Sequence, residues 1–122
     1  MGYRSEITAV FYARGADEWP LIKLFFAENF PKDWADNLEE VHHGSRSGFV
    51  FRVSDYKWYD SYPEVQAFEE FEEKFNRLGK CAAGIWDYEF ARIGEDYTDI
   101  ENRSSDHADY VLSIVRRAEI DF

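Results

Sequence analysis

The sequence predicts one α+β domain built in two layers, and three observations carry that reading. The chain has 122 residues, close to the commonest size of a single domain. It is 45% hydrophobic and 19% aromatic, enough core-forming side chains to fold without a cofactor. Its apolar spacing also switches along the chain between the period of two that marks strands and the period of about 3.6 that marks helices.

The elements follow in order. From Tyr3 to Ala13, Ile7, Ala9 and Phe11 alternate with Thr8, Val10 and Tyr12, so both faces are largely apolar, as in a central strand. Gly15 breaks the strand. Asp17 offers an N-cap acid ahead of Glu18-Trp19-Pro20, where proline suits a first helical turn, and a helix from about Glu18 to Asn29 follows. Trp19, Ile22, Phe25 and Phe26 share one face, Pro31 ends the helix, and Asp33 caps a short second helix through Trp34 and Leu38.

Between Val41 and Asp55 the period changes. Gly44-Ser45-Arg46-Ser47-Gly48 is turn chemistry, and Phe49, Phe51 and Val53 alternate with Val50, Arg52 and Ser54, which predicts a hairpin with a short first arm. Ser61-Tyr62-Pro63-Glu64 has the form of a capping box, opening a helix on which Val65, Phe68, Phe71 or Glu72, Phe75 and Leu78 keep the helical period. Gly79 is expected as the left-handed residue past its end. The opposite face carries Glu69, Glu70, Glu73 and Lys74. Two more strands are expected, Gly84 to Ile93 and Asp109 to Ile120, joined by a polar connection from Gly94 to Ala108. The order β-α-β-β-α-β-β puts two helices on one face of an antiparallel or mixed sheet, a ferredoxin-like arrangement with an added strand.

The 25 acidic against 14 basic residues give a net charge of −11, spread through the chain. Such a field repels nucleic acid and attracts basic surfaces. It has two readings: carboxylates that keep an aromatic-rich protein in solution, or a surface that imitates the charge of DNA or RNA. The single cysteine, Cys81, forms no internal disulfide and is expected as a small core residue in a reducing compartment. Met-Gly-Tyr-Arg-Ser-Glu has no apolar signal region, and nowhere do eighteen apolar residues run together, so neither secretion nor a membrane span is expected.

Catalytic and cofactor signatures are missing from the sequence. His42, His43 and His107 stand in no nucleophile or metalloprotease context. His42 and His43, adjacent on a strand, point to opposite faces and do not share a metal. The acidic stretch from Gly94 to Glu101 lacks the spacing and central glycine of a calcium loop, and no phosphate-binding glycine motif is present. Binding, with no cofactor and no catalysis, is the expected mode of action. Tyr56, Trp58, Tyr59 and Tyr62 form an aromatic cluster of the type that supplies energy at protein interfaces or plugs the end of a core.

Met1-Gly2-Tyr3-Arg4-Ser5-Glu6-Ile7, Lys57-Trp58-Tyr59-Asp60-Ser61-Tyr62-Pro63-Glu64-Val65 and Arg92-Ile93-Gly94-Glu95-Asp96 followed by Asp99-Ile100-Glu101 together resemble a group of small uncharacterised proteins of tailed bacteriophages and prophages. The motifs keep their order and span nearly the whole chain. The sequence departs from the group in a longer first helical region, Trp19 to Val41, and in Asn102 to Ala108. The resemblance brings no catalytic or binding residue with it. It implies a context: an accessory protein in a bacterial host cytoplasm that inhibits a host nucleic-acid-binding complex, as anti-CRISPR and other anti-defence proteins do.

On that expectation the partner is a host protein or nucleoprotein with a basic surface, engaged without direct nucleic-acid or membrane contact, and Tyr59, Glu69, Glu73, Glu95 and Asp96 face it. A second reading is a nucleotide-sequestering pocket at Trp58, Tyr59 and Trp86 with Arg92, Arg116 and Arg117 as the phosphate partners. A third is a homodimeric phage structural or assembly component paired through an outer strand.

Overall fold

β1 (Ser5–Ala13) is the central strand of a five-stranded antiparallel sheet, and the rest of the molecule is organised by what packs on its two faces. The computed structural model describes residues 4–13, 18–43, 46–81, 86–95, 99–105, 112–114 and 118–120. After β1 come α1 (Trp19–Asn29), a 3-10 helix (Lys32–Asn37), β2 (Leu38–His43), β3 (Arg46–Tyr56), α2 (Pro63–Cys81), β4 (Trp86–Ile93) and β5 (Ile100–Ser104), then a separate two-stranded sheet of β6 (Leu112–Ile114) and β7 (Ala118–Ile120). The sheet order is β2-β3-β1-β4-β5.

The registers explain the core. Ala9 pairs with Phe51 and Phe90, and Phe11 with Phe49 and Tyr88, so these residues share one face of the sheet. Ile22, Phe25 and Phe26 of α1 and Val65, Phe68, Phe71 and Phe75 of α2 close over that face. Phe11 is the hub: its ring meets Phe26, Phe68, Phe71 and Phe75 edge-on at 5.1–6.2 Å and stacks on Tyr88 at 6.0 Å. Edge-to-face contacts suit aromatic quadrupoles and let bulky rings interdigitate. The other face of the central strands is buried too: Val10 packs with Tyr12 and Val50, and the Tyr12 hydroxyl donates to Glu89 Oε2 at 2.8 Å. The reading of β1 as apolar on both faces is therefore correct.

β3 carries an irregularity that reaches the candidate site. Its pairing with β1 slips between Ser5 and Ile7, and Asp55 has a φ of 56°. A residue in the left-handed region bends the strand at a bulge. The slip turns Tyr56 inward, where its ring meets Trp34 at 5.1 Å and Trp58 at 6.1 Å, and its hydroxyl donates to Glu64 Oε1 at 2.7 Å. Glu64, expected to serve a capping box with Ser61, thus ties the first turn of α2 to the end of β3. Burial and that bond push the Tyr56 hydroxyl up to about 12.

Three further expectations change. The polar connection after β4 contains a strand, β5, which extends the main sheet beside β4. In the segment from Asp109 to Ile120, expected as one strand, the described residues form two short antiparallel strands, β6 and β7, and β6 lies against β4. Gly79 is inside α2 and not past its end. A Cβ there would stand 2.5 Å from the Trp86 carbonyl oxygen, so this glycine is required by the close approach of α2 to β4. The N-cap expected at Asp17 lies outside the described residues; Glu18 takes the cap position without a side-chain bond to the helix and instead accepts from Trp86 Nε1 at 2.9 Å. No helix among the described residues is long and apolar enough to cross a membrane.

Candidate functional site

Arg92 on β4 pairs with Glu101 on β5 and lies on the helix-covered face near the end of β1. Its two terminal nitrogens donate to the two carboxylate oxygens of Asp99, at 3.1 and 2.9 Å, and its Nε donates to Glu101 Oε1 at 3.2 Å. One terminal nitrogen also reaches Ser5 Oγ at 3.3 Å. This bidentate clamp fits the planar guanidinium and holds its pKa above the usual arginine range, first through the bonds to Asp99. The Gly94 amide bonds the Asp99 carbonyl at 2.8 Å, which closes the loop and positions the clamp.

Glu101 links this arginine to a second one. Arg103 Nη1 donates to Glu101 Oε2 at 3.0 Å, and its guanidinium lies over the Phe90 ring at 3.9 Å from the centroid. Arg103 Nε donates to Glu72 Oε2 at 3.1 Å; its Nη2 stands 2.8 Å from Glu72 Oε1 but without an aligned hydrogen bond. Glu69 is 3.8 Å from Nη1. Burial on the inner side of α2 raises the Glu72 carboxyl to about 7 despite the arginine, and burial likewise pushes Glu69 up. The result is a continuous network of two arginines and four carboxylates between α2, β4 and β5.

A cavity of about 300 Å³ opens beside this network, lined by Ser5, Trp58, Tyr59, Asp60, Arg92, Asp99 and Glu101. A neighbouring one of about 370 Å³ is lined by Arg4, Ser5, Glu6, Asp55, Ile93, Gly94 and Glu95. There the Arg4 amide donates to Glu95 Oε1 at 2.8 Å, and Arg4 Nη1 donates to the Asp55 carbonyl at 3.0 Å. Residues from all three motifs singled out in the sequence thus meet at one end of the molecule, around Ser5.

Among the residues expected to face a partner, Tyr59 lines the first cavity with its ring 5.3 Å from Tyr62, and Glu95 lines the second. Glu69 is half-buried in the arginine network. Glu73 is fully on the outside of α2, with Arg77 3.5 Å away. These four residues thus have different surroundings, and Asp96 lies outside the described residues. Trp58 and Trp86 do not share a pocket: Trp58 packs among Trp34, Phe51, Phe68 and Phe90, whereas Trp86 packs on Phe25 and Phe75. Arg116 and Arg117 also lie outside the described residues, as does His107.

The arginine network was missed in the sequence because Arg103 sits in a segment read as a connection. No apolar alternation marks that strand, since its inward positions, Glu101 and Arg103, are charged and its outward ones, Asn102 and Ser104, are polar. At the opposite edge of the sheet, the His42 ring lies between Ser47 Oγ at 2.7 Å and Glu40 Oε2 at 2.6 Å. Its bond to Glu40 is the main cause that holds that carboxyl below its usual range. His42 pairs with Ser47 and His43 with Arg46, so the two histidines do point to opposite faces. Among the described residues, no group of three or more histidine, cysteine or acidic side chains is placed to hold a metal ion. Comparison of the chain with protein-family models, curated proteins and solved structures found no match.

Proposed function

We propose that this chain is a phage accessory protein that binds a host nucleic-acid-binding complex through its acidic surface and inhibits it, as an anti-CRISPR or other anti-defence protein would. The observation that carries the reading is how the charge is divided. Arg92 and Arg103 spend their guanidinium groups on Asp99, Glu101, Glu72 and Glu69 inside the molecule, while Glu28, Asp33, Asp36, Glu39, Glu70 and Glu73 remain exposed. The network takes up more carboxylates than arginines, yet the excess of 25 acidic over 14 basic residues still leaves more acidic than basic side chains exposed, and such a field favours encounter with basic surfaces. The phage-like motifs supply the context.

The scaffold for this activity is, in our reading, ferredoxin-like with an added edge strand. The order β2-β3-β1-β4 with antiparallel neighbours throughout, α1 between β1 and β2 and α2 between β3 and β4, supports that assignment; β5 is the addition. Affinity purification of the tagged protein from a defence-competent bacterial host tests the function. A nucleic-acid-binding complex retained at low salt and released by moderate salt is the expected result, because screening weakens such contacts. Retention of nothing above background would remove the inhibitor reading in that host.

A further inference from the structure

β2 stands at one end of the sheet and, among the described residues, has a strand on one side only, β3. Its register with β3 runs unbroken from Leu38 to His43, so the main-chain donors and acceptors on its outer side form a regular row, and neither proline nor lysine interrupts it. Contacts fix which way each side chain points. Glu40 reaches Lys23 of α1 at 3.6 Å and the His42 ring meets Trp19 at 5.5 Å, so Leu38, Glu40 and His42 are on the helix-covered face. Val41 packs with Val10, Tyr12 and Val50, which puts Glu39, Val41 and His43 on the other face. Glu39, Glu40, His42 and His43 are all exposed. About Val41 the strand is therefore self-complementary: two acids precede it and two histidines follow.

Sheet edges that stay single are guarded by charge, proline or a bulge, and two glutamates alone would be such a guard. The two histidines turn the guard into a match for a second copy. We infer that β2 is an interface between two copies of this chain, which pair antiparallel about a two-fold axis through Val41 and join their five-stranded sheets into one. In that register Val41 meets Val41 of the second copy, Glu40 meets its His42 and Glu39 its His43, and each pair shares one face of the joined sheet. Centring the pairing on Glu40 or His42 would instead set carboxylate against carboxylate or histidine against histidine, and a one-residue slip would mismatch the faces. Opposed Cβ atoms in such a pair stand about 4.5–5.5 Å apart, and an imidazole donates to a carboxylate whether neutral or charged. His42 is already 2.6 Å from Glu40 of its own strand, whereas Glu39 and His43 make no side-chain hydrogen bond or ion pair among the described residues. The net charge of −11 opposes self-association, but this edge is close to balance. Lys23 beside Glu40, and Arg46, the register partner of His43, offset its two acids. More distant charge is screened beyond about 8–10 Å at physiological salt. The inference goes beyond the proposed function and holds whichever partner the acidic surface meets.

The test is a charge exchange read by sedimentation at about 0.15 M salt over a concentration series. It compares the wild-type chain, a lysine variant (Glu39→Lys/Glu40→Lys/His42→Lys/His43→Lys), a glutamate variant (His42→Glu/His43→Glu) and an equimolar mixture of the two variants, with circular dichroism confirming that each is folded. The wild type is expected to dimerise, and each variant alone to do so at least about ten-fold more weakly, because like charges then oppose one another across the axis. The mixture is expected to recover the dimer as one copy of each variant, since lysines now face glutamates at every charged pair. A wild type that stays monomeric up to about 1 mM, the range of the weakest complexes, overturns the inference. So does a dimer that either variant retains at wild-type strength, which would use another surface. Two weakened variants whose mixture stays monomeric would overturn it as well, because the register about Val41 requires that the exchange restore pairing.

Discussion

Glu72 is buried on the inner side of α2 with its carboxyl against Arg103, yet the pairing does not bring it back to an ordinary carboxylate: burial dominates and holds it at about 7. The sign of the consequence is fixed. A carboxyl raised in the folded state keeps its proton while the unfolded chain ionises, so this group's contribution to stability is intact below about 4.5 and is lost as pH rises toward 7. The slope is at most about 1.4 kcal/mol per pH unit. Glu72→Gln removes it, so the difference in melting temperature between variant and wild type should shift in favour of the variant between pH 5 and pH 8. A difference that does not change with pH would show that Glu72 titrates normally.

Arg103→Met keeps an apolar stem over Phe90 but leaves Glu72, Glu69 and Glu101 facing one another. Removing one partner of a buried pair typically costs about 3–5 kcal/mol, and here the loss should be greater at pH 8 than at pH 5, where Glu72 is protonated. Urea denaturation at the two pH values measures it.

Gly79→Ala opposes two effects. Alanine is the better helix former by about 1 kcal/mol, but its Cβ meets the backbone carbonyl of Trp86 at 2.5 Å, which no rotamer change relieves. A net destabilisation of about 1–3 kcal/mol is expected from the forced shift. Any gain in denaturation midpoint would mean that α2 stands further from β4 than described.

Asp55→Gly should be tolerated, since the residue's φ of 56° suits glycine and the lost ion pair with Arg4 is exposed and 3.7 Å long. Asp55→Val should cost about 1–3 kcal/mol, because a β-branched side chain resists that conformation. Thermal melts of the two variants side by side separate backbone preference from charge.

Phe11→Ala is expected to be the most damaging single truncation. It removes a ring in contact with five others and should cost about 3–5 kcal/mol, a large share of the roughly 5–15 kcal/mol that stabilises a domain of this kind.

Much of this arrangement was legible in the sequence because it rests on local pattern. Ile7, Ala9 and Phe11 against Thr8, Val10 and Tyr12 identified the central strand, and Phe68, Phe71 and Phe75 the buried stripe of α2. What was hidden depends on pairing at a distance. β5 is polar at nearly every position, since its inward residues are Glu101 and Arg103, which neutralise each other only once β4 and α2 are in place. Leu78 obeys the helical period and is nonetheless exposed, because periodicity reports a direction and not whether anything waits there. Tyr59, Glu69 and Glu95 were singled out by composition, but the roles of the latter two are set by Arg103 and the Arg4 amide, which only the folded chain brings near.

The sheet order has a consequence for how the chain is made. β1 precedes both of its partners in the chain, and its registers run to β3 and, from Glu6 to Ile93, to β4. At roughly 5–20 residues per second, β1 waits on the order of ten seconds for its second neighbour. During that time a strand apolar on both sides has open edges, a condition that favours mispairing between nascent chains. The carboxylates that follow it from Glu18 onward outnumber the cations of the same stretch, and like charge of that kind opposes association between neighbouring chains.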